Sequence, residues 1–250
     1  MDLSEASNNP HRHPWELSRA RFILGLLEGK ESLSPSSRIL DIGAGDLYFA
    51  LEMNRRTSAT IDAVDTAFDE NTPCPPGIER FKDLDQVRDR KYRVICALDV
   101  LEHVAEDEEL LNRLISMLEP GGLLLITVPA FQLLFTYHDL KLKHFRRYHR
   151  DHLLYLIRDP SGVRVEESFY FFHLLFFVRL FQKVLEFCFG IKPEDPGPHA
   201  VNHWRHPEEH VFTRGIGGIL GTDARFSRLL ARLGIRLPGL SLCMVLRKNR

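Results

Sequence analysis

The stretch from Arg38 to Asp65, RILDIGAGDLYFALEMNRRTSATIDAVD, admits few folds. An apolar run, Ile39-Leu40-Asp41-Ile42, enters a glycine turn, Gly43-Ala44-Gly45-Asp46, and Phe49, Ala50 and Met53 then recur at helical spacing. The order is strand, turn, helix, and a second short strand, Thr60 to Val64, ends on Asp65. Two glycines let the backbone turn tightly against a ligand, and the helix N-terminus offers unpaired N–H groups. Asp65 can accept from ribose hydroxyls, so the stretch outlines a nucleoside pocket.

The turn chemistry selects the ligand. A pyrophosphate-binding turn places a third small residue where Tyr48 stands here, and Asp41 and Asp46 would repel a diphosphate. A cationic ligand without phosphate fits better. Ile39 to Gly45 resembles the first motif of class I S-adenosylmethionine-dependent methyltransferases, with Asp65 in the ribose position. The resemblance implies cofactor contacts at Asp41, Gly43, Ala44, Gly45 and Asp65. Just past a third strand, Ile78 to Phe81, such enzymes carry an acid against the adenine amino group; Asp83 and Asp85 both qualify, and Asp83 is preferred.

Further along, Tyr92 to Asp99 is a near-continuous apolar run, as a central parallel strand requires. It leads into Asp99-Val100-Leu101-Glu102-His103-Val104, which closely resembles the end of the fourth strand in a large bacterial group of these enzymes. That places Asp99, Glu102 and His103 near the transferred methyl, Asp99 among the cofactor contacts. His103 reads as a general base or, with more weight, as a loop-holding residue. Arg93 departs from the family, which often has an acid there. A helix over Asp107 to Leu118, stopped by Pro120-Gly121-Gly122, precedes a fifth strand, Leu123 to Val128.

The expected fold is therefore α/β: a Rossmann-like, doubly wound, mostly parallel seven-stranded sheet with an antiparallel last strand, Leu240 to Leu246. Residues 1–14 read as a loose leader and 15–250 as a single methyltransferase domain, elaborated at 130–160 and 180–235. A composition of 44% apolar residues suffices for a large core, and a net charge of −1 exerts no global pull on nucleic acid or membrane. Four scattered cysteines without a C-x-x-C pair suggest neither zinc nor disulfides, and the N-terminus lacks a secretion signal. A cytoplasmic location follows, with a peripheral place at the inner membrane face as the variant.

Acceptor residues are sought after strand five. Tyr137-His138-Asp139 and KLKHFRRYHR, Lys141 to Arg150, resemble a subgroup of bacterial methyltransferases with poorly defined substrates. His138 and His144 are candidate bases beside His103, while Asp139, Arg146, Arg147 and Tyr148 are candidate substrate contacts. Two aromatic-rich features complete the reading. Phe169 to Phe189 is too interrupted to cross a bilayer and reads as strand, then amphipathic helix, packed in the core or lying on a membrane. His199, His203 and His206 lie in a Pro-rich insertion, Pro193 to Glu209, with His210 directly after it, and Pro198 and Pro207 keep the stretch from regular helix, so no metal is expected. A helix over Asp223 to Leu233 precedes the last strand, and Trp15 reads as a packing anchor of a helix over the cofactor.

The expected activity is methyl transfer from S-adenosylmethionine to an oxygen of a saccharide or lipid-linked envelope intermediate, a small-molecule acceptor rather than nucleic acid. A non-catalytic S-adenosylmethionine-binding module and, disfavoured by Tyr48 and the acidic turn, an NAD-dependent oxidoreductase are the alternatives.

Overall fold

The structure, a computed structural model, describes residues 11–31, 33–68, 74–189, 204 and 206–250. Seven strands form one sheet in the order β3-β2-β1-β4-β5-β7-β6. They are β1 (Arg38–Ile42), β2 (Thr60–Val64), β3 (Ile78–Phe81), β4 (Tyr92–Leu98), β5 (Leu118–Pro129), β6 (Val163–Phe171) and β7 (Ser241–Lys248). β7 pairs antiparallel with both β5 and β6, and the remaining neighbours pair parallel. The expected Rossmann-like sheet is thus present, with its antiparallel last strand.

Side chains alternate across this sheet. Ile39, Val94, Cys96, Leu125 and Val245 belong to one buried layer, and Leu40, Ile95, Ala97, Leu124 and Met244 to the other. Helix α1 (Pro14–Glu28) contributes Ile23, Leu24 and Leu27 to the first layer, as does α2 (Tyr48–Thr57) through Ala50 and Met53. Helix α3 (Asp107–Met117) closes the second layer with Leu111 and Leu114. Two short helices, α4 (Tyr137–Lys141) and α5 (Arg150–Tyr155), follow β5. Helix α6 (His173–Phe189) follows β6. Because β1, β4 and β5 run parallel, their C-terminal ends open on one edge of the sheet. Chain order reverses between β1 and β4, so the crevice there is where ligands bind in such folds.

Several boundaries differ from the sequence expectation. Helix α7 runs from Val211 to Arg232, twelve residues longer at its start than the periodicity from Asp223 predicts. Gly215, Gly217, Gly218 and Gly221 hide it, since glycine disfavours helix. Packing on α1 overrides that preference: the Ser18 hydroxyl donates to Gly217 O at 2.7 Å. Pro120-Gly121-Gly122 lies inside β5 rather than before it. The histidine-rich insertion falls outside the described residues except for Trp204 and 206–209, and so does the leader except for 11–14.

Arg93 now has an account. Its guanidinium donates twice to Glu31 Oε2, at 2.8 and 2.6 Å, and Arg247 of β7 also pairs with Glu31. Arg247 and Lys30 in turn hold Glu166. Where the family often has an acid, this chain carries a cation because the acid is supplied by the segment after α1.

Candidate active site

The glycine turn is built as the sequence implies. Gly43 and Gly45 adopt φ of 68° and 53°, where residues with a Cβ are strained. A Cβ on Gly43 would lie 2.6 Å from Val100 Cγ2, so the turn and the segment after β4 are in backbone-to-side-chain contact. Asp65 does not hang free at the end of β2: its carboxylate accepts from Gly45 N at 2.8 Å and from Ala67 N at 2.9 Å. Ribose contact would use its remaining lone pairs.

Asp41 is 2% exposed, and its Oδ2 has no hydrogen-bond partner. Burial pushes its carboxyl up to about 7, helped by the nearby charges of Asp65 and Asp46. It lines a small cavity of about 50 Å³ with Gly43, Ala44, Asp46, Glu16 and Arg19. Arg12 pairs with Asp46 and lies over the Tyr48 ring at 4.0 Å, and Arg19 pairs with Asp99 while lying over Trp15 at 4.7 Å. Helix α1 and the residues before it therefore cover the turn with two guanidinium groups set against its acids.

A larger cavity of about 360 Å³ adjoins it and shares Glu16 and Arg19. Asp99, Glu102, His103, His138, Asp139, His144 and Arg147 line one side. Leu175, Val178, Arg179 and Gln182 of α6 line the other. Asp99 is held at φ 56° and accepts from Thr127 Oγ1 at 2.9 Å. All three histidines expected near the chemistry therefore meet in one space with Asp99, Asp139 and Arg147.

The chain around Asp139 is locked. Asp139 is fully buried, accepting from Arg147 Nε at 2.8 Å and Thr136 N at 2.8 Å, with His144 Nδ1 at 3.1 Å. Burial opposes its ionisation, yet the hydrogen bonds from His144 and Arg147 hold its carboxyl far below the usual range. His138 is shifted down by burial and then by Arg179, which favours its neutral form. Glu102 is 1% exposed with Oε2 unpartnered, and burial raises its carboxyl to about 8, Arg19 and Arg147 partly offsetting this.

Three expected contacts stand elsewhere. Tyr148 is fully buried and donates to Asp107 Oδ2 at 2.7 Å, and Arg146 donates to Asp107 Oδ1 at 2.9 Å. Neither lines the cavity, and both hold Asp107 at the start of α3. Asp83 is exposed and accepts from Asp85 N at 2.8 Å as the cap of a short 3₁₀ turn, while Asp85 pairs with Arg113. Arg19, Glu16, Arg179 and Gln182 were not in the expected set. Arg19 gave one signal, an arginine off the apolar face of its helix; Arg179 and Gln182 share a helical face with Leu175 and Val178.

The chain was compared with known proteins. A family model described as "Methyltransferase domain" matches residues 15–184. No curated protein matches the sequence. Among solved structures, a Galdieria sulphuraria protein described as a candidate sarcosine dimethylglycine methyltransferase is 15% identical, with a TM-score of 0.58 over 96% of this chain and 92% of that one. Coclaurine N-methyltransferase bound to N-methylheliamine and S-adenosylhomocysteine is 13% identical, with a TM-score of 0.53 over 92% and 72%. The [4+2]-cyclase SpnF is 15% identical, with a TM-score of 0.55 over 97% and 85%. At such identities the likeness speaks for the fold.

Proposed function

Because the chain belongs to the class I S-adenosylmethionine-dependent methyltransferases, we propose that its acceptor is an oxygen of a saccharide or lipid-linked envelope intermediate. The residues at the turn fit the cofactor. Asp41 offers an orphaned buried carboxylate oxygen, Gly43 and Ala44 line the cavity beside it, and Glu16 and Asp46 share that lining, Asp46 paired with Arg12. S-adenosylmethionine, when bound, supplies a methyl group already activated on a sulfonium.

The protein's task is then alignment and exclusion of water. Glu16 and Arg19 of α1 line both the small and the large cavity. His138, kept neutral by burial, can take a proton from an acceptor hydroxyl in the larger cavity.

One observation carries the acceptor class: the wall of that cavity is the inner face of a helix whose outer face is apolar. Leu175, Val178, Arg179 and Gln182 of α6 line the cavity, while Leu174, Phe177, Phe181 and Val184 are 48–63% exposed. Beside it, α7 exposes Phe212, Ile219, Phe226 and Leu229 together with Arg214, Arg225 and Arg232. Among the described residues no helix is long and apolar enough to cross a membrane. An apolar face edged with arginines instead suits a helix lying in an anionic interface, with the acceptor's polar head reaching the cavity and Arg179 placed for phosphate.

The test is transfer from methyl-deuterated S-adenosylmethionine to a panel of undecaprenyl-linked saccharides, free saccharides and small amines, read by mass spectrometry. Methylation of the lipid-linked saccharides on oxygen is expected. Transfer confined to amines would overturn this acceptor class while leaving the family assignment intact.

A further inference from the structure

The end of β4 and the loop after α4 bring three metal-binding side chains together. Ligand atoms of Glu102, His103 and His144 lie within 4.8 Å of one another. The His103 and His144 rings meet edge to face with centroids 4.7 Å apart. All three residues line the 360 Å³ cavity. The two loops are joined by the backbone, since Phe145 N donates to Glu102 O at 2.7 Å.

Two independent features point to a cation. The first is Glu102, buried with Oε2 unpartnered although two guanidinium groups are near. Those groups are already taken: Arg19 pairs with Asp99, and Arg147 pairs with Asp139. A buried carboxylate oxygen without a partner is costly, and an ion would satisfy it. The second is the support behind His144. Its Nδ1 is 3.1 Å from Asp139 Oδ1, which leaves Nε2 for the cavity, and the carboxylate–histidine pair is how proteins orient a metal-bound imidazole. Asp139 is itself fixed by Arg147 and Thr136.

We propose that Glu102, His103 and His144 form a site for a divalent transition-metal ion, held on one face and open toward the cavity. Two imidazoles and one carboxylate suit Zn²⁺, Mn²⁺, Fe²⁺ or Co²⁺ rather than Ca²⁺, which takes oxygen ligands. Ligands roughly 2.1 Å from a single ion stand about 3 to 4 Å apart, so side-chain rotation of less than about 1 Å completes the shell. The site's open positions face the space where an acceptor must sit. There the role rests on the oxygen-acceptor reading above: the ion would hold the acceptor hydroxyl oxygen and its proton would pass to His138, which lines the same cavity. That oxygen then forms the C–O bond as the C–S bond of S-adenosylmethionine breaks, leaving S-adenosylhomocysteine.

The test begins with full-length protein stripped by chelator and titrated with Co²⁺ and Zn²⁺, followed by calorimetry and by the visible d–d bands of Co²⁺. One ion per chain is expected. Glu102→Gln, His103→Ala and His144→Ala should each weaken it more than tenfold, and Asp139→Asn about tenfold, with circular dichroism confirming that each variant is folded. A His206→Ala/His210→Ala variant, removing the stacked surface pair 4.0 Å apart, should bind as before. Absence of stoichiometric binding, or binding lost only in that surface variant, would overturn the site. Binding that depends on the three ligands, with methyl transfer unchanged after chelation, would uphold the site and remove its catalytic role.

Discussion

The Gly45 N–H donates to Asp65 Oδ2 across 2.8 Å, tying the glycine turn to the end of β2. One carboxylate therefore shapes the turn, and under the cofactor reading proposed above it would also meet the ribose. Asp65→Ala should weaken S-adenosylmethionine binding about 10- to 100-fold, the equivalent of losing hydrogen bonds to a charged group. Asp65→Asn, which can still accept from Gly45, should lose less. Calorimetric titration of the two variants separates turn geometry from ribose contact, and equal losses would count against the first.

Asp41 gives the site a pH dependence with a definite sign. Its carboxyl, normally near 3.8, sits at about 7 in the folded chain because it is buried. Below pH 4 it is protonated folded or unfolded and costs nothing. As pH rises toward 7 the unfolded state ionises first, so folding loses stability, on the order of 2–4 kcal/mol by pH 8. Thermal melts should show the ligand-free protein losing stability between about pH 4 and 7 and Asp41→Asn losing less over that window, the remainder belonging to Glu102, which burial also raises. A cationic ligand reverses the sign for binding. S-adenosylmethionine affinity should rise from pH 6 to 8 with release of protons, measurable as a buffer-dependent binding enthalpy, and Asp41→Asn should abolish both.

Glu31 is a structural counterpart to these acids, 8% exposed and held by Arg93 and Arg247. Glu31→Ala leaves two guanidinium groups without their shared acid at the base of β4 and β7. Both arginines keep partial solvent access, so the cost should be about 1–3 kcal/mol. Cofactor affinity should be unchanged, because the strand ends that carry the site lie at the opposite edge. A loss of affinity without loss of stability would contradict this division.

The sheet was legible because its signals are local. The near-continuous apolar runs of β1, β4 and β5 and the two glycines in the turn are each decided within a few residues. What was not legible depends on partners far along the chain. Nothing near Tyr148 announces that its hydroxyl will be used by Asp107, forty-one positions earlier in the chain. KLKHFRRYHR reads as one basic patch, yet folding divides it: Arg147 and His144 turn to Asp139, whereas Arg146 and Tyr148 turn to Asp107. The sequence also shows glycines in α7 but not Ser18 waiting on α1. Tyr148→Phe tests the division directly. It should lower stability by about 1–2 kcal/mol and leave the KM for the acceptor unchanged, whereas Arg179→Ala should raise that KM and spare stability.

The exposed face of α6 separates an interfacial enzyme from one working on dissolved saccharides. Phe177 and Phe181 are 58% and 63% exposed on the side away from the cavity, and burying both in an interface contributes several kcal/mol at about 25 cal/mol per Å². The wild type should sediment with vesicles containing phosphatidylglycerol, more weakly at high salt because Arg214, Arg225 and Arg232 contribute. Phe177→Glu/Phe181→Glu should lose sedimentation at any salt while keeping its fold and S-adenosylmethionine affinity. Its methyl transfer should fall for acceptors presented in vesicles and persist for the same saccharide freed of lipid. Equal transfer to both forms by wild type and variant would mean that the apolar face serves something other than substrate delivery.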